Sequence, residues 1–212
     1  MFRVLLLISV VMSLFAFAQT EQKPEATKYD EFEVAANGEI KARMDVYFVD
    51  LNNNPTAQGY IFNFGTDKDI AVRERQIRNS ITFRKFDASR ITLVRGGFRG
   101  IVQTQLWLVP PGAETPTVES SSKMIDEFEK ASNGDIKARL DSLFIELSDN
   151  PSYQGYIVNY GSTKEVFARE KLIRNYITVR KLDLSRVKFL KGSVREVIKT
   201  EFWVDSPKVK SS

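Results

Sequence analysis

Apolar residues along this chain recur in two rhythms, one of period two and one of three and four. From Tyr29 to Val34 they alternate with polar residues around Phe32 and Val34, as in a short strand. After Asn37-Gly38, residues Ile40, Met44, Tyr47, Phe48 and Leu51 recur at three and four, which predicts an amphipathic helix with one buried stripe. Asn54-Pro55 stops it, because proline cannot continue a helix and restricts its predecessor. Gly59 to Phe64 is an aromatic and β-branched run closed by Gly65, the mark of a strand covered on both faces. A second helix to about Lys85 sets Arg73, Ile77 and Ile81 four apart on one line. Ile91 to Val94 is the next strand. From Ile101 to Val109 alternation returns, with Val102, Thr104, Leu106 and Leu108 on one face and Gln103, Gln105 and Trp107 on the other.

The same succession then repeats. Asp30 to Pro111 aligns without a gap on Asp126 to Pro207: DEFEVAANGEIKAR on DEFEKASNGDIKAR, NNNPTAQGYIFNFG on SDNPSYQGYIVNYG, RERQIRNSITFRKFDASR on REKLIRNYITVRKLDLSR. The period is too long for a solenoid repeat, so the chain is a duplicated domain. The expected fold is α/β, an α+β sandwich of two tandem β-α-β-α-β-β domains, each a small mixed sheet with two helices packed on it. The domains are residues 29–109 and 125–205. Gly38, Gly59, Gly65 and their partners read as turn and close-packing positions.

Met1 to Ala18 reads as a secretory signal: Arg3, an apolar stretch from Val4 to Phe17, and Ala16-Phe17-Ala18 before a cut at Gln19. The stretch, about 14 residues, falls short of the ~20 that span a bilayer, so cleavage is favoured over an anchor. The expected protein is periplasmic or secreted, with no membrane span after cleavage. Residues 19–28 form a flexible lead, 110–124 a linker rich in Pro, Ser and Thr, and 206–212 a polar tail. That linker suits two tethered beads, unless the domains share an interface it does not reveal.

A net charge of +4 comes from mixed signs, with acids interrupting every basic run, so nucleic acid is not an expected partner. The chain has no histidine and no cysteine, which removes the commonest general base, the usual metal ligands and the thiol nucleophile. No cofactor and no metal site are expected, and the composition points away from an enzyme. Asp45 and Asp141 stand on a solvated helix side with no second acid fixed nearby, against paired-carboxylate chemistry.

The turn and strand FDASRI and LDLSRV, the arginines Arg73 and Arg169 with apolar residues four and eight later, and GYIFNFGTD leading into Thr66-Asp67 resemble the OmpA-like peptidoglycan-associated domain. That resemblance covers nearly all of each repeat. It implies a non-enzymatic envelope protein of a diderm bacterium whose aspartate and arginine hold the ammonium and carboxylate of diaminopimelate. A guanidinium fork matches a carboxylate and an acid matches an amine. The arginine carries over to Arg73 and Arg169, the aspartate only to Asp67, because the second copy has Thr163 there. Two departures stand out. The family's loop between the Thr-Asp pair and the helix is missing, and its Gly-x-Gly-Glu turn is Gly96-Gly97-Phe98-Arg99 and Gly192-Ser193-Val194-Arg195, with arginine for the acid.

A cation near a helix N-terminus opposes the macrodipole, so Arg73 and Arg169 need an acid such as Asp69, Glu165, Glu74 or Glu170, or an anionic ligand. Asp69, Glu165, Arg99 and Arg195 are the expected rim of such a site, which the Thr-Asp pair places in the first copy. Trp107 and Trp203, on the polar face of the last strand, stack on sugar, meet a partner or are covered by the chain's own loops. The expected partner is peptidoglycan. The alternative is another envelope protein, met through sheet edges and the Trp107/Trp203 face by a fold that has lost the wall ligand.

Overall fold

The computed structural model describes residues 23–117 and 121–205; the expected signal and the tail 206–212 lie outside the described residues. The first unit runs β1 (Thr27–Phe32), α1 (Asn37–Asn53), β2 (Gln58–Phe64), α2 (Asp67–Arg84), β3 (Ile91–Gly97) and β4 (Gln103–Val109). The second runs β5 (Ser122–Phe128), α3 (Asn133–Asp149), β6 (Gln154–Tyr160), α4 (Thr163–Val179), β7 (Val187–Lys191) and β8 (Lys199–Asp205). Each folds into a four-stranded mixed sheet, ordered β1-β4-β2-β3 and β5-β8-β6-β7. β2–β3 and β6–β7 are parallel, as βαβ crossovers require, and the other pairs are antiparallel. The α/β architecture read from the hydrophobic pattern is the one observed.

Local chemistry explains the helices. The stripe Ile40, Met44, Tyr47, Phe48 and Leu51 is buried, as is its counterpart Ile136, Leu140, Leu143, Phe144 and Leu147. α2 and α4 start at Thr66 and Ser162, whose hydroxyls accept from the amides of Asp69 and Glu165. The C-terminal carbonyls of α1 are gathered by one side chain. Arg90 Nη2 donates to the carbonyls of Leu51, Asn54 and Ala57, each at 2.8 Å, and Arg186 does the same for Leu147, Asn150 and Tyr153. A cation there adds a second donor to carbonyls of the helix end and its turn, two of which already accept a backbone amide in the first unit, and it meets the negative end of the dipole. The arginine shared by FDASRI and LDLSRV is thus a helix cap. Gly65 and Gly161 turn the chain from strand to helix at φ 145° and 137°, a conformation closed to other residues.

The boundaries need correction. β1 begins at Thr27 and ends at Phe32, and Val34, expected inside the strand, is 78% exposed. Beyond Phe32 the chain leaves the sheet towards α1, and the Glu33 carbonyl faces an arginine instead of a neighbouring strand. Likewise β5 begins at Ser122, inside the expected linker, and β4 begins at Gln103, leaving Ile101 exposed. β2 is covered on both faces, with Ile61, Phe62, Asn63 and Phe64 all buried. The outer face of β4 is not solvated, for Gln103 and Gln105 are buried.

Nor are the units beads on a tether. Phe98, in the turn after β3, forms one buried cluster with Tyr156, Val158 and Tyr160 on the helix-free face of the second sheet. Its ring stacks on Trp203 at 4.4 Å and meets Tyr156 edge-on at 5.8 Å. Gly100 lies against the same tyrosine so closely that a Cβ would sit 1.9 Å from its Cζ. Arg195 and Asp67 form an ion pair across the units at 3.6 Å.

Candidate functional site

One polar row crosses each sheet beneath its second helix. In the first unit the register places Phe32, Thr104 and Asn63 side by side on β1, β4 and β2. Arg73, from the second turn of α2, lies over them and is 3% exposed. Its Nη1 donates to Thr104 Oγ1 at 2.7 Å and its Nη2 to the Glu33 carbonyl at 2.9 Å, while Thr104 passes its own proton to Asn63 Oδ1 at 2.9 Å. The second unit repeats this with Arg169, Thr200, Glu129 and Asn159 at 2.8, 3.1 and 2.8 Å. Phe32 has two guanidinium groups over its ring, Arg73 and Arg43, each 4.9 Å from the ring centre, and Phe128 has Arg169 and Arg139 likewise. The amide nitrogens of Asn63 and Asn159 are buried and have no partner among the described residues. The row is rich in donors, and two copies keep it although an unmet buried donor costs about 1–3 kcal/mol.

Sequence reasoning found the arginines but not the rest of the row. The signal was present: a polar asparagine inside GYIFNF and GYIVNY, on the face pointing at the helices.

No carboxylate lies within ion-pair distance of either arginine among the described residues. Guanidinium stays charged in proteins, so both are buried cations held by neutral groups. Burial lowers the proton affinity of Arg73 below its ordinary value, with Asp69 and Glu39 pulling it back from a distance. For Arg169 burial acts alone.

Each arginine borders a small cavity, and the two cavities are built from corresponding positions. In the first unit Ala35, Asp69, Val72, Arg73, Gln76 and Val102 help line an open cavity of about 180 Å³. In the second Ala131, Glu165, Ala168, Arg169, Leu172 and Ile198 help line one of about 380 Å³, with alanine in place of Val72.

The expected partner of Arg73, Asp67, is not brought to it. Asp67 is the first residue of α2, and six residues of helix put it on a different side from Arg73. It pairs instead with Arg195. Asp69, four residues before Arg73, shares its face and lines its cavity, as Glu165 does for Arg169. Both acids are already engaged at their helix starts: Asp69 Oδ2 accepts from Thr66 Oγ1 at 2.6 Å, and Glu165 Oε2 accepts from Ser162 Oγ at 2.6 Å and from the Ser162 amide at 3.1 Å. That bond to Ser162 holds the Glu165 carboxyl below the ordinary range. Glu74 pairs with Arg95 at 3.0 Å and takes no part.

Arg99 and Arg195 do not rim these cavities. They lie over Phe64 at 4.6 Å and Tyr160 at 4.5 Å, on the side of the sheet away from the helices. Trp203 is occupied by Phe98, and Trp107 borders a third cavity between the lead and the linker. Among the described residues no three carboxylates gather to hold a metal, and no helix is long and apolar enough to cross a membrane.

No family model and no curated protein matches this chain. Among solved structures it is similar to a cyanuric acid hydrolase at 6% identity, over 86% of this chain and 68% of that one. The TM-score of 0.28 is too low for that likeness to bear on fold or activity.

Proposed function

We propose that the protein is an exported, non-enzymatic envelope protein that holds an anionic or zwitterionic cell-wall peptide, anchoring its carboxylate at Arg169 and Arg73. One observation carries this reading: in both units a buried arginine without a carboxylate partner opens onto a cavity of corresponding construction. A ligand carboxylate is the group such a site lacks, and charge-assisted bonds to guanidinium are among the stronger hydrogen bonds. The amine of a zwitterion finds Asp69 or Glu165 in the same cavity wall, in the role that the resemblance to OmpA-like domains gives to Asp67. Arg169 is the stronger anchor, since its cavity is larger and alanine stands beside it where the first unit has Val72.

The test is co-sedimentation of the mature protein with diaminopimelate-type peptidoglycan. Wild type is expected in the pellet. Arg169→Met, which keeps the stem and removes the charge, is expected to weaken binding by about tenfold or more. Arg73→Met is expected to weaken it less, and circular dichroism checks that both variants fold. Wild type remaining in the supernatant refutes the reading; undiminished binding by the double variant refutes these anchors.

A further inference from the structure

The helix-free faces of the two sheets carry the same two aromatic positions but different cover. In the second unit Phe98 lies on Tyr156 and Trp203, and Tyr156 is 5% exposed. The corresponding pair in the first unit is Tyr60 and Trp107. Among the described residues no ring returns the contact, for Val194, which aligns with Phe98, is 76% exposed. Trp107 has no ring stacked on it among the described residues. It borders instead a cavity of about 440 Å³ walled by Lys23–Ala26 on one side and Glu114–Thr117 on the other. Lys23 and Glu114, both in its wall, form an ion pair at 2.5 Å.

We propose that this cleft docks an aromatic side chain from a peptide segment of a partner protein, stacked on Trp107 as Phe98 stacks on Trp203. The second unit supplies the template: the same strand position, the same indole, and a phenylalanine ring upon it. The indole N–H of Trp107 is already given to Gln105 Oε1 at 3.2 Å, so the ring presents its face. Pro24, Ala26 and Pro116 supply apolar walls around an aromatic group, and Lys23, Glu25 and the threonine hydroxyls form a polar rim for the peptide backbone. The volume lies in the range of small-ligand sites, and an aromatic side chain brings large contact area at low entropy cost. The cleft shares no residue with the arginine cavities and stands independently of them.

The test uses the mature chain carrying Trp203→Phe, which keeps a ring for Phe98 and leaves Trp107 as the sole tryptophan of the two. Acetyl-Gly-Phe-Gly-amide is titrated against Trp107 emission, with acetyl-Gly-Ala-Gly-amide and chitobiose as comparison probes. The expected result is a saturable change, with the phenylalanine peptide bound about tenfold more tightly than the alanine peptide. Amide shifts induced by the peptide are expected to vanish in Trp107→Leu. Pro116→Asp, which alters a wall and leaves the sheet intact, is expected to weaken them and serves if the leucine variant does not fold. No saturation at millimolar peptide, an equal response to the alanine peptide, or a stronger response to chitobiose overturns the proposal.

Discussion

On the helix side of the sheets, Arg73 donates to Thr104 at 2.7 Å and Arg169 to Thr200 at 2.8 Å, and each pair has the same asparagine, phenylalanine and glutamate carbonyl beside it. On the opposite side the units diverge. Where the second has Tyr160, Lys199 and Glu201, the first has Phe64, Gln103 and Gln105. Glu201 there accepts from Tyr160 and Trp203, each at 2.9 Å, and pairs with Lys199 at 2.9 Å. In the first unit only the acid one strand over remains on this face: Glu31 accepts from Gln103 and from Gln105, whereas its counterpart Glu127 pairs with Lys199 at 2.7 Å. The difference follows from what each face meets. The inner row is enclosed by its own helices, so changing any member strands the others without a partner, at a cost that duplication alone does not relieve. The outer face of the second unit must receive a neighbour's ring, whereas that of the first borders an open cleft.

Three changes sharpen this contrast. Phe98→Ala strikes hardest: it removes a buried ring between Trp203 and Tyr156 and is expected to destabilise the protein by about 3 kcal/mol. In denaturant, unfolding is then expected to separate into two transitions, one per unit. A single transition at an unshifted midpoint means that the units cohere without the ring.

Tyr160→Phe makes the second face resemble the first and is expected to cost about 1 kcal/mol near neutral pH through the lost bond to Glu201. Its pH dependence is more telling. Burial, followed by the charge of Glu201, raises the Tyr160 hydroxyl above the ordinary value of 10.0. The stability it contributes is therefore complete below that value and declines as pH rises beyond it towards the folded pKa. Tyr29, pushed up to about 12 by burial and by Asp50, contributes in the same direction. Alkaline titration should thus show a shallower loss in Tyr160→Phe, by at most one proton, or about 1.4 kcal/mol per pH unit. Parallel curves for the variant and wild type refute the assignment.

The smallest effect is expected from Val194→Phe, which gives the second turn the ring that the first turn has. Val194 is exposed, so stability should move by less than about 0.5 kcal/mol. A larger rise in Tm, accompanied by a change in Trp107 emission, means that the arm reaches the first face and that the asymmetry rests on that one side chain.

Much of the scaffold was legible in the residues. The stripes of α1 and α3, the stops at Asn54-Pro55 and Asn150-Pro151, and the line Arg73–Ile77–Ile81 all lie where spacing placed them. The candidate site was half legible. Spacing locates both arginines, but the acid that the resemblance gives to Arg73 alone, Asp67, lies on another side of the helix, and helical spacing favours Asp69. Thr104, Thr200, Asn63 and Asn159 were missed because a row across a sheet depends on strand register, which no single segment states.

By itself the sequence determined the duplication, the order of elements, the buried stripes and the position of the arginine on its helix. Each of these follows from interactions between residues a few positions apart, where periodicity and caps act. Only the tertiary structure decided that the arginines rest on neutral donors and acceptors, that Arg99 and Arg195 lie across the sheet from them, and that Phe98 covers Trp203 while Trp107 borders an open cleft. Those contacts join segments far apart in the chain. Their geometry comes from sheet register and from how one unit meets the other, and the near-identity of the two copies does not specify either.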